Sequence, residues 1–178
     1  AALLTFMTSF AFKNAALKTT STAKVVTATN ERLYNKMPRG SFITMFYAVY
    51  DSNDKTLTYT QAGHPEGFMI RPSTKEIISL TSASPLVGAF SSESVHYSES
   101  KIQLEVGDKL LLYTDAILEL WNADNVMMSR EDFMSFLSNN SHLPIEGLLE
   151  RIKLFGLGYS GKDTFNDDFT LVGFEVLG

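Results

Sequence analysis

The chain opens on an apolar run from Ala1 to Phe12, which predicts a mostly apolar helix over 1–18, broken by Thr19, Thr20 and Ser21. A second helix is predicted over Thr22–Lys36, with Val25, Val26, Thr29, Leu33 and Met37 at helical spacing. Asn30 and Glu31 are expected on its other side, and Pro38-Arg39-Gly40 ends it.

The period then shortens. Phe42–Tyr50 is β-branched and aromatic, and Asp51-Ser52-Asn53-Asp54 turns the chain. Thr56–Gln61 alternates like a strand with one wet face, so the two segments predict an antiparallel hairpin. Gly63-His64-Pro65 breaks that pattern. Further strands are predicted at Phe68–Ile70, Glu76–Leu80, Ile102–Leu104, Leu110–Tyr113 and Phe169–Val176. Ser129-Arg130-Glu131-Asp132 resembles a capping box, with Asp in the usual Glu position, and opens a helix through Leu137. Pro144 suits the first turn of another helix, running to about Phe155. The pattern describes an α+β domain built on antiparallel sheet, with helices early and late.

Composition narrows the chemistry. The 178 residues suit one domain. The absence of cysteine excludes disulfides, zinc–thiolate sites and thiol nucleophiles. A net charge of −5 argues against a general nucleic-acid binder. The charge is uneven: residues 1–40 hold six Lys/Arg and one Glu, and the remainder hold nine Lys/Arg and nineteen Asp/Glu. A basic opening suits either an anionic partner or a solvated helix face. The apolar run of twelve residues is too short for a bilayer, which needs about 20. It lacks the flanks of a signal peptide. It reads as the inside of a helix whose beginning lies upstream.

Two leads fall away. Gly156-Leu157-Gly158-Tyr159-Ser160-Gly161-Lys162 has the spacing of a phosphate-binding loop, but Asp163 stands where Ser or Thr should meet the metal. The stretch is expected to be a flexible glycine loop. His64, His96 and His142 lie far apart with no zinc-binding spacing, and His64 is expected to be structural.

The acids carry more. Leu110–Asp115 is an apolar strand ending on a carboxylate, and Asn166-Asp167-Asp168 leads into another apolar strand. Strand ends are rigid mounts for ligands, and hard cations favour carboxylate oxygens. Asp is also common in turns, and on residue types alone the turn reading is the stronger of the two.

At these residues the chain resembles a known family. Tyr113-Thr114-Asp115-Ala116-Ile117-Leu118-Glu119 resembles the Thr-Asp-Gly segment of the PPM (type 2C) metal-dependent serine/threonine phosphatases, in their bacterial SpoIIE/RsbU branch. Phe42-Ile43-Thr44, Ala62-Gly63-His64-Pro65, Pro85-Leu86-Val87-Gly88 and Asn166-Asp167-Asp168-Phe169-Thr170-Leu171 resemble further segments of that branch, in the same order. The match runs over essentially the whole chain.

The resemblance implies an αββα sandwich of antiparallel sheets flanked by helices, with residues 1–178 as one domain, the C-terminal majority of the catalytic fold. It implies two divalent cations, Mn2+ or Mg2+, that activate a water to attack phosphoserine or phosphothreonine. By similarity, Asp115 and Asp167 are catalytic metal ligands and Asp168 is an auxiliary one, while Gly63 and His64 shape a turn. The implied substrate is a phosphorylated anti-sigma-factor antagonist, a small STAS-domain protein. The implied setting is cytoplasmic, with an upstream sensor or regulatory domain in the same chain, no nucleic acid and no membrane contact by this segment.

Two departures accompany the resemblance. The family's Gly-His-Gly-type segment, with its metal-bridging Asp, would precede Ala1, so this chain by itself is expected to bind metal poorly. Ala116 stands where the family has Gly, a strained choice only if the position needs a positive φ or a close backbone approach. The alternative to an enzyme is a degenerate PPM-like domain that binds a phosphoprotein partner without hydrolysis.

Overall fold

The computed structural model describes residues 2–38, 40–82 and 84–178. In chain order the elements are α1 (Ala2–Ala16), α2 (Thr22–Leu33), β1 (Met45–Asp51), β2 (Thr56–Ala62), β3 (Gly67–Arg71), β4 (Glu76–Leu80), β5 (Ser100–Gln103), β6 (Lys109–Tyr113), α3 (Arg130–Asn139), α4 (Ile145–Ser160) and β7 (Leu171–Glu175). A short 3-10 turn covers Asp115–Ile117. The expected α+β class holds, with all-antiparallel strand pairing in two sheets and four α-helices. The chain forms two compact units, residues 1–64 with 81–104 and residues 65–80 with 105–178.

The first unit carries α1, α2 and a sheet of order β1-β2-β5. Met45 pairs with Ala62 and Asp51 with Thr56, so the predicted hairpin forms around the Asp51–Asp54 turn. Its core gathers Ala11, Val26, Leu33, Ala62, Val87 and Tyr97. Small side chains at Ala11 and Ala15 let α1 approach, and both are buried. Ser21 caps α2, its hydroxyl accepting from the Lys24 N–H. Glu99 adds a carboxylate at that positive helix end, accepting from the Ser21 hydroxyl (2.7 Å) and the Ala23 N–H (3.3 Å).

Asn30 corrects the expectation for α2. It is fully buried rather than on a polar side. Its amide nitrogen donates to the Phe90 carbonyl and the Ser92 hydroxyl, and its oxygen accepts from the Gly88 N–H at 2.7 Å. A buried amide must be satisfied, and here the partners lie about sixty residues away in sequence.

The second unit carries a sheet of order β4-β3-β6-β7, with α3 and α4. Phe68, Ile70, Leu111, Tyr113, Ile117, Leu120, Met128, Phe133, Leu137, Leu148 and Ile152 form its core. Ser129 caps α3 as predicted, its hydroxyl accepting from the Asp132 N–H at 3.0 Å. Pro144 is the residue just before α4 rather than inside its first turn, and its carbonyl accepts from the Leu148 N–H.

α4 overturns the expected glycine loop. The helix continues through Gly156 and Gly158 to Ser160 and stops at Gly161, which takes a left-handed φ of 64°. Gly161 is the C-terminal stop that glycine favours. Gly156 is buried, and a side chain there would crowd Ile117, Phe165 and Leu120. The glycine therefore serves close packing inside a helix.

Candidate functional site

The carboxylates read from the sequence sit at one end of the β6–β7 pair. β6 ends at Tyr113, whose register partner is Leu171 at the start of β7. Asp115 lies just past the end of one strand, and Asp167 and Asp168 lie just before the start of the other. Antiparallel pairing thus brings positions about fifty residues apart to one edge. All three residues are exposed.

Thr114 ties the two segments together. Its N–H donates to the Thr170 carbonyl (3.1 Å). Its hydroxyl donates to the Asp168 carbonyl (2.9 Å) and accepts from the Thr170 N–H (3.0 Å). Three hydrogen bonds from one residue lock the Asp167-Asp168 approach to the Asp115 turn. The residue types did not single out this role, though a hydroxyl at a strand end beside an acid is a legible signal.

The Asp115 carbonyl accepts from the Leu118 and Glu119 N–H groups (2.9 and 3.0 Å), so the backbone folds back at once. Ala116 is buried within this 3-10 turn and is absent from the positive-φ residues. An alanine is therefore unstrained there. On the other segment one Asp167 oxygen accepts from the Asp168 N–H at 2.7 Å, which fixes the turn locally.

The donor set is all oxygen, the chemistry that magnesium and manganese favour. The number of donors falls short. Among the described residues no three His, Cys, Asp or Glu side chains converge into a group that could hold a metal ion. Asp115, Asp167 and Asp168 fit part of a divalent-cation site by donor type and do not complete one.

The structural support beneath the site is unusual at Tyr113. Its ring stacks on Phe68 (centroids 5.6 Å apart) and meets Phe133 edge-on (5.4 Å). Its hydroxyl is buried without a hydrogen-bond partner among the described residues. Burial, with the Glu66 charge second, pushes the phenol well above its usual range. Arg130, over the Phe68 ring at 5.9 Å, donates through Nε and Nη2 to the Glu66 carboxylate.

The glycine motif residues of the first unit form their own cluster. Gly63 has φ 65°, and a side chain there would collide with Leu86. Ile43 bridges to Val87, and Ala62 to Ser84. The Phe42-Ile43-Thr44, Ala62-Gly63-His64-Pro65 and Pro85-Leu86-Val87-Gly88 segments thus meet one another. The His64 carbonyl accepts from the Gln61 side-chain amide, and its ring lies 6.4 Å from Phe46. This agrees with a turn-shaping part.

Comparison with known proteins adds the family. The SpoIIE family (stage II sporulation protein E) matches residues 1–177. The chain is 25% identical over 150 residues to the phosphoserine phosphatase RsbU of Bacillus subtilis, covering 84% of this chain and 44% of RsbU. It thus spans less than half the length of that relative. In structure it is similar to the SiaA-PP2C domain of Pseudomonas aeruginosa, with a TM-score of 0.82 at 19% identity, covering 98% of this chain and 68% of that one. It is also similar to the catalytic domain of the serine/threonine phosphatase PstP in complex with two manganese ions (TM-score 0.67, 16% identity, 100% and 82% covered). These likenesses establish the PP2C fold.

Proposed function

The chain belongs to the SpoIIE family, and from that premise we propose that it is the greater part of the catalytic domain of a metal-dependent protein serine/threonine phosphatase. The reading treats residues 1–178 as one domain, since the family match runs through both compact units. The observation that carries it is the β6–β7 register, which brings Asp115 to the same strand-pair end as Asp167 and Asp168.

Asp115 and Asp167 would hold the divalent cations, and Asp168 would assist. A bound cation in such a site neutralises phosphate charge and makes water a better nucleophile. The chain's own contribution is geometric. Thr114 holds the Asp168 backbone against the Asp115 turn. A site of this kind works only if its ligands are fixed before the metal arrives. The described residues supply part of such a ligand set.

The substrate we propose is a phosphoserine or phosphothreonine on a regulatory protein, of the STAS-domain anti-sigma-factor antagonist type. The support is the likeness to RsbU, a phosphoserine phosphatase. An upstream sensor or regulatory domain and a cytoplasmic setting belong to the same reading. Among the described residues no helix is long and apolar enough to cross a membrane.

A second reading is binding of a phosphoprotein without hydrolysis, which needs no complete metal-ligand group among the described residues. One experiment separates the two. The full-length protein is stripped with chelator and offered a phosphorylated STAS-domain protein. The enzyme reading expects no phosphate release until manganese is restored. Tight binding without release at any manganese concentration would favour the binding module.

A further inference from the structure

Past the Asp115 turn the chain makes a small hairpin, residues 121–127, whose construction serves neither the core nor the carboxylates. Trp121 and Met127 face each other across an antiparallel bridge. The Met128 N–H donates to the Leu120 carbonyl (2.8 Å), and the Asn122 N–H donates to the Val126 carbonyl (3.0 Å). These bonds flank the Trp121–Met127 pair, making it the non-hydrogen-bonded type whose side chains come closest. The flanking Leu120 and Met128 are 3% and 2% exposed, whereas Trp121 and Met127 are 53% and 49% exposed. Strand alternation accounts for this: one pair enters the core and the next stands in solvent.

The tip is rigid. The Asn122 side-chain oxygen accepts from the N–H groups of Asp124 (3.0 Å) and Val126 (2.9 Å), and Asn125 takes a left-handed φ of 58°. Tyr159 donates its hydroxyl to the Val126 carbonyl at 3.2 Å. A loop so tied holds a tryptophan and a methionine side by side in water. Aromatic and methionine side chains are enriched in binding surfaces, and a prearranged loop loses little entropy on binding.

Position and charge define what fits. Trp121 lies six residues beyond Asp115, so it is within about 20 Å by chain reach, and nearer because the chain folds back on the Asp115 carbonyl. Residues 116–129 carry Glu119 and Asp124, both exposed, and no Lys or Arg. Asp115, Asp167 and Asp168 would be offset by the cations they hold, so Glu119 and Asp124 are the charges left to face a partner. A partner meets complementary charge here only if it brings cations.

We propose that the Trp121–Met127 hairpin is the docking surface for the phosphoprotein substrate, and that it takes an apolar substrate segment carrying Lys or Arg near the phosphorylated serine. The substrate's part in this inference rests on the phosphatase reading above. The hairpin adds a recognition element outside the carboxylate site. It selects by apolar contact and positive charge, where the carboxylate edge would act on the phosphoryl group.

Trp121 is the sole tryptophan of these 178 residues, so the part of the full-length protein's emission that a Trp121→Phe substitution removes reports on the surface. Two synthetic phosphoserine peptides serve as probes, one flanked by Leu and Lys, the other by Ser and Glu. They are titrated into the full-length protein bearing Asp115→Asn, which prevents turnover. The Leu/Lys peptide should shift Trp121 emission to the blue and saturate, binding at least roughly tenfold more tightly than the Ser/Glu peptide. Met127→Lys, which removes the apolar contact and repels the peptide's Lys, should weaken that binding by about tenfold or more with an unchanged unfolding midpoint. Equal response to both peptides, no emission change, or indifference to Met127→Lys would overturn the docking surface. Manganese-dependent phosphate release from the same peptides by the wild type tests the other reading separately. Release without any emission change sinks the docking surface and leaves the phosphatase. A saturating shift without release sinks the phosphatase and leaves the hairpin as a binding surface.

Discussion

A Cβ on Gly156 of α4 would stand 2.8 Å from the Ile117 Cδ1, within the turn that begins at Asp115. Phe165 and Leu120 would follow at 3.0 and 3.1 Å. The absent side chain is what lets α4 lie against the turn that carries the first candidate ligand.

Gly156 and Gly158 should therefore respond differently to alanine. Gly158 has open space, so Gly158→Ala should gain the helix-propensity difference of up to about 1 kcal/mol. Gly156→Ala meets overpacking of about 1–3 kcal/mol, which cancels or reverses that gain. Urea unfolding of the two variants measures the contrast. Equal stabilisation would show that the Ile117 contact imposes no constraint.

Tyr113 predicts a stabilising loss. Its hydroxyl is buried without a partner among the described residues, and removing an unsatisfied polar group avoids a desolvation cost of about 1–3 kcal/mol. Tyr113→Phe should raise the unfolding free energy by roughly 1 kcal/mol while keeping the rings of Phe68 and Phe133 in place. A destabilised variant would reveal a partner for the hydroxyl.

Glu66 predicts an acid-side signature. The hydrogen bond from Arg130 holds its carboxyl below the ordinary glutamate range, against the opposing effect of burial. A depressed folded pKa stabilises the protein above the unfolded value, and that contribution is lost as pH falls through the folded value. Glu66→Gln should therefore cost about 1 kcal/mol near neutral pH, a modest figure because Arg130 is partly exposed. The cost should fade below about pH 4. A pH-independent difference between the two proteins would contradict the sign.

Thr114 predicts a loss of function through geometry. Thr114→Val keeps the shape but removes the hydroxyl bonds to Asp168 and Thr170. Phosphate release should fall by about tenfold or more, the effect of losing a group that orients a ligand. Thr114→Ser should retain most of the rate. Equal rates for Val and Ser would remove Thr114 from the account.

Much of this was legible from residue types. Helical and strand periods located α1, α2 and part or all of every described strand, while the Ser129 capping signal and Pro144 located α3 and α4. Asp115 and Asp167 stood out as acids bordering apolar strands. The misreadings share a cause in long-range contact. Asn30 looks like a surface residue on a helical wheel, yet it is buried because Gly88, Phe90 and Ser92 supply its partners. Gly156 and Gly158 look like a loop, yet helix packing against Ile117 favours the first. The Thr114 bonds depend on β6–β7 register, which no local pattern states.

The central claim is that Asp115 and Asp167 act together in metal-dependent hydrolysis. Its most direct test is manganese-dependent phosphate release by the full-length protein and by Asp115→Asn, Asp167→Asn and Asp163→Asn. Asp163 is an exposed acid outside the proposed site and serves as the control. The account predicts a loss of about a hundredfold or more in the first two variants, beyond the usual cost of an outer-shell change, and less than about twofold in the third, as expected for a surface substitution. An Asp115→Asn protein as active as the wild type would contradict it.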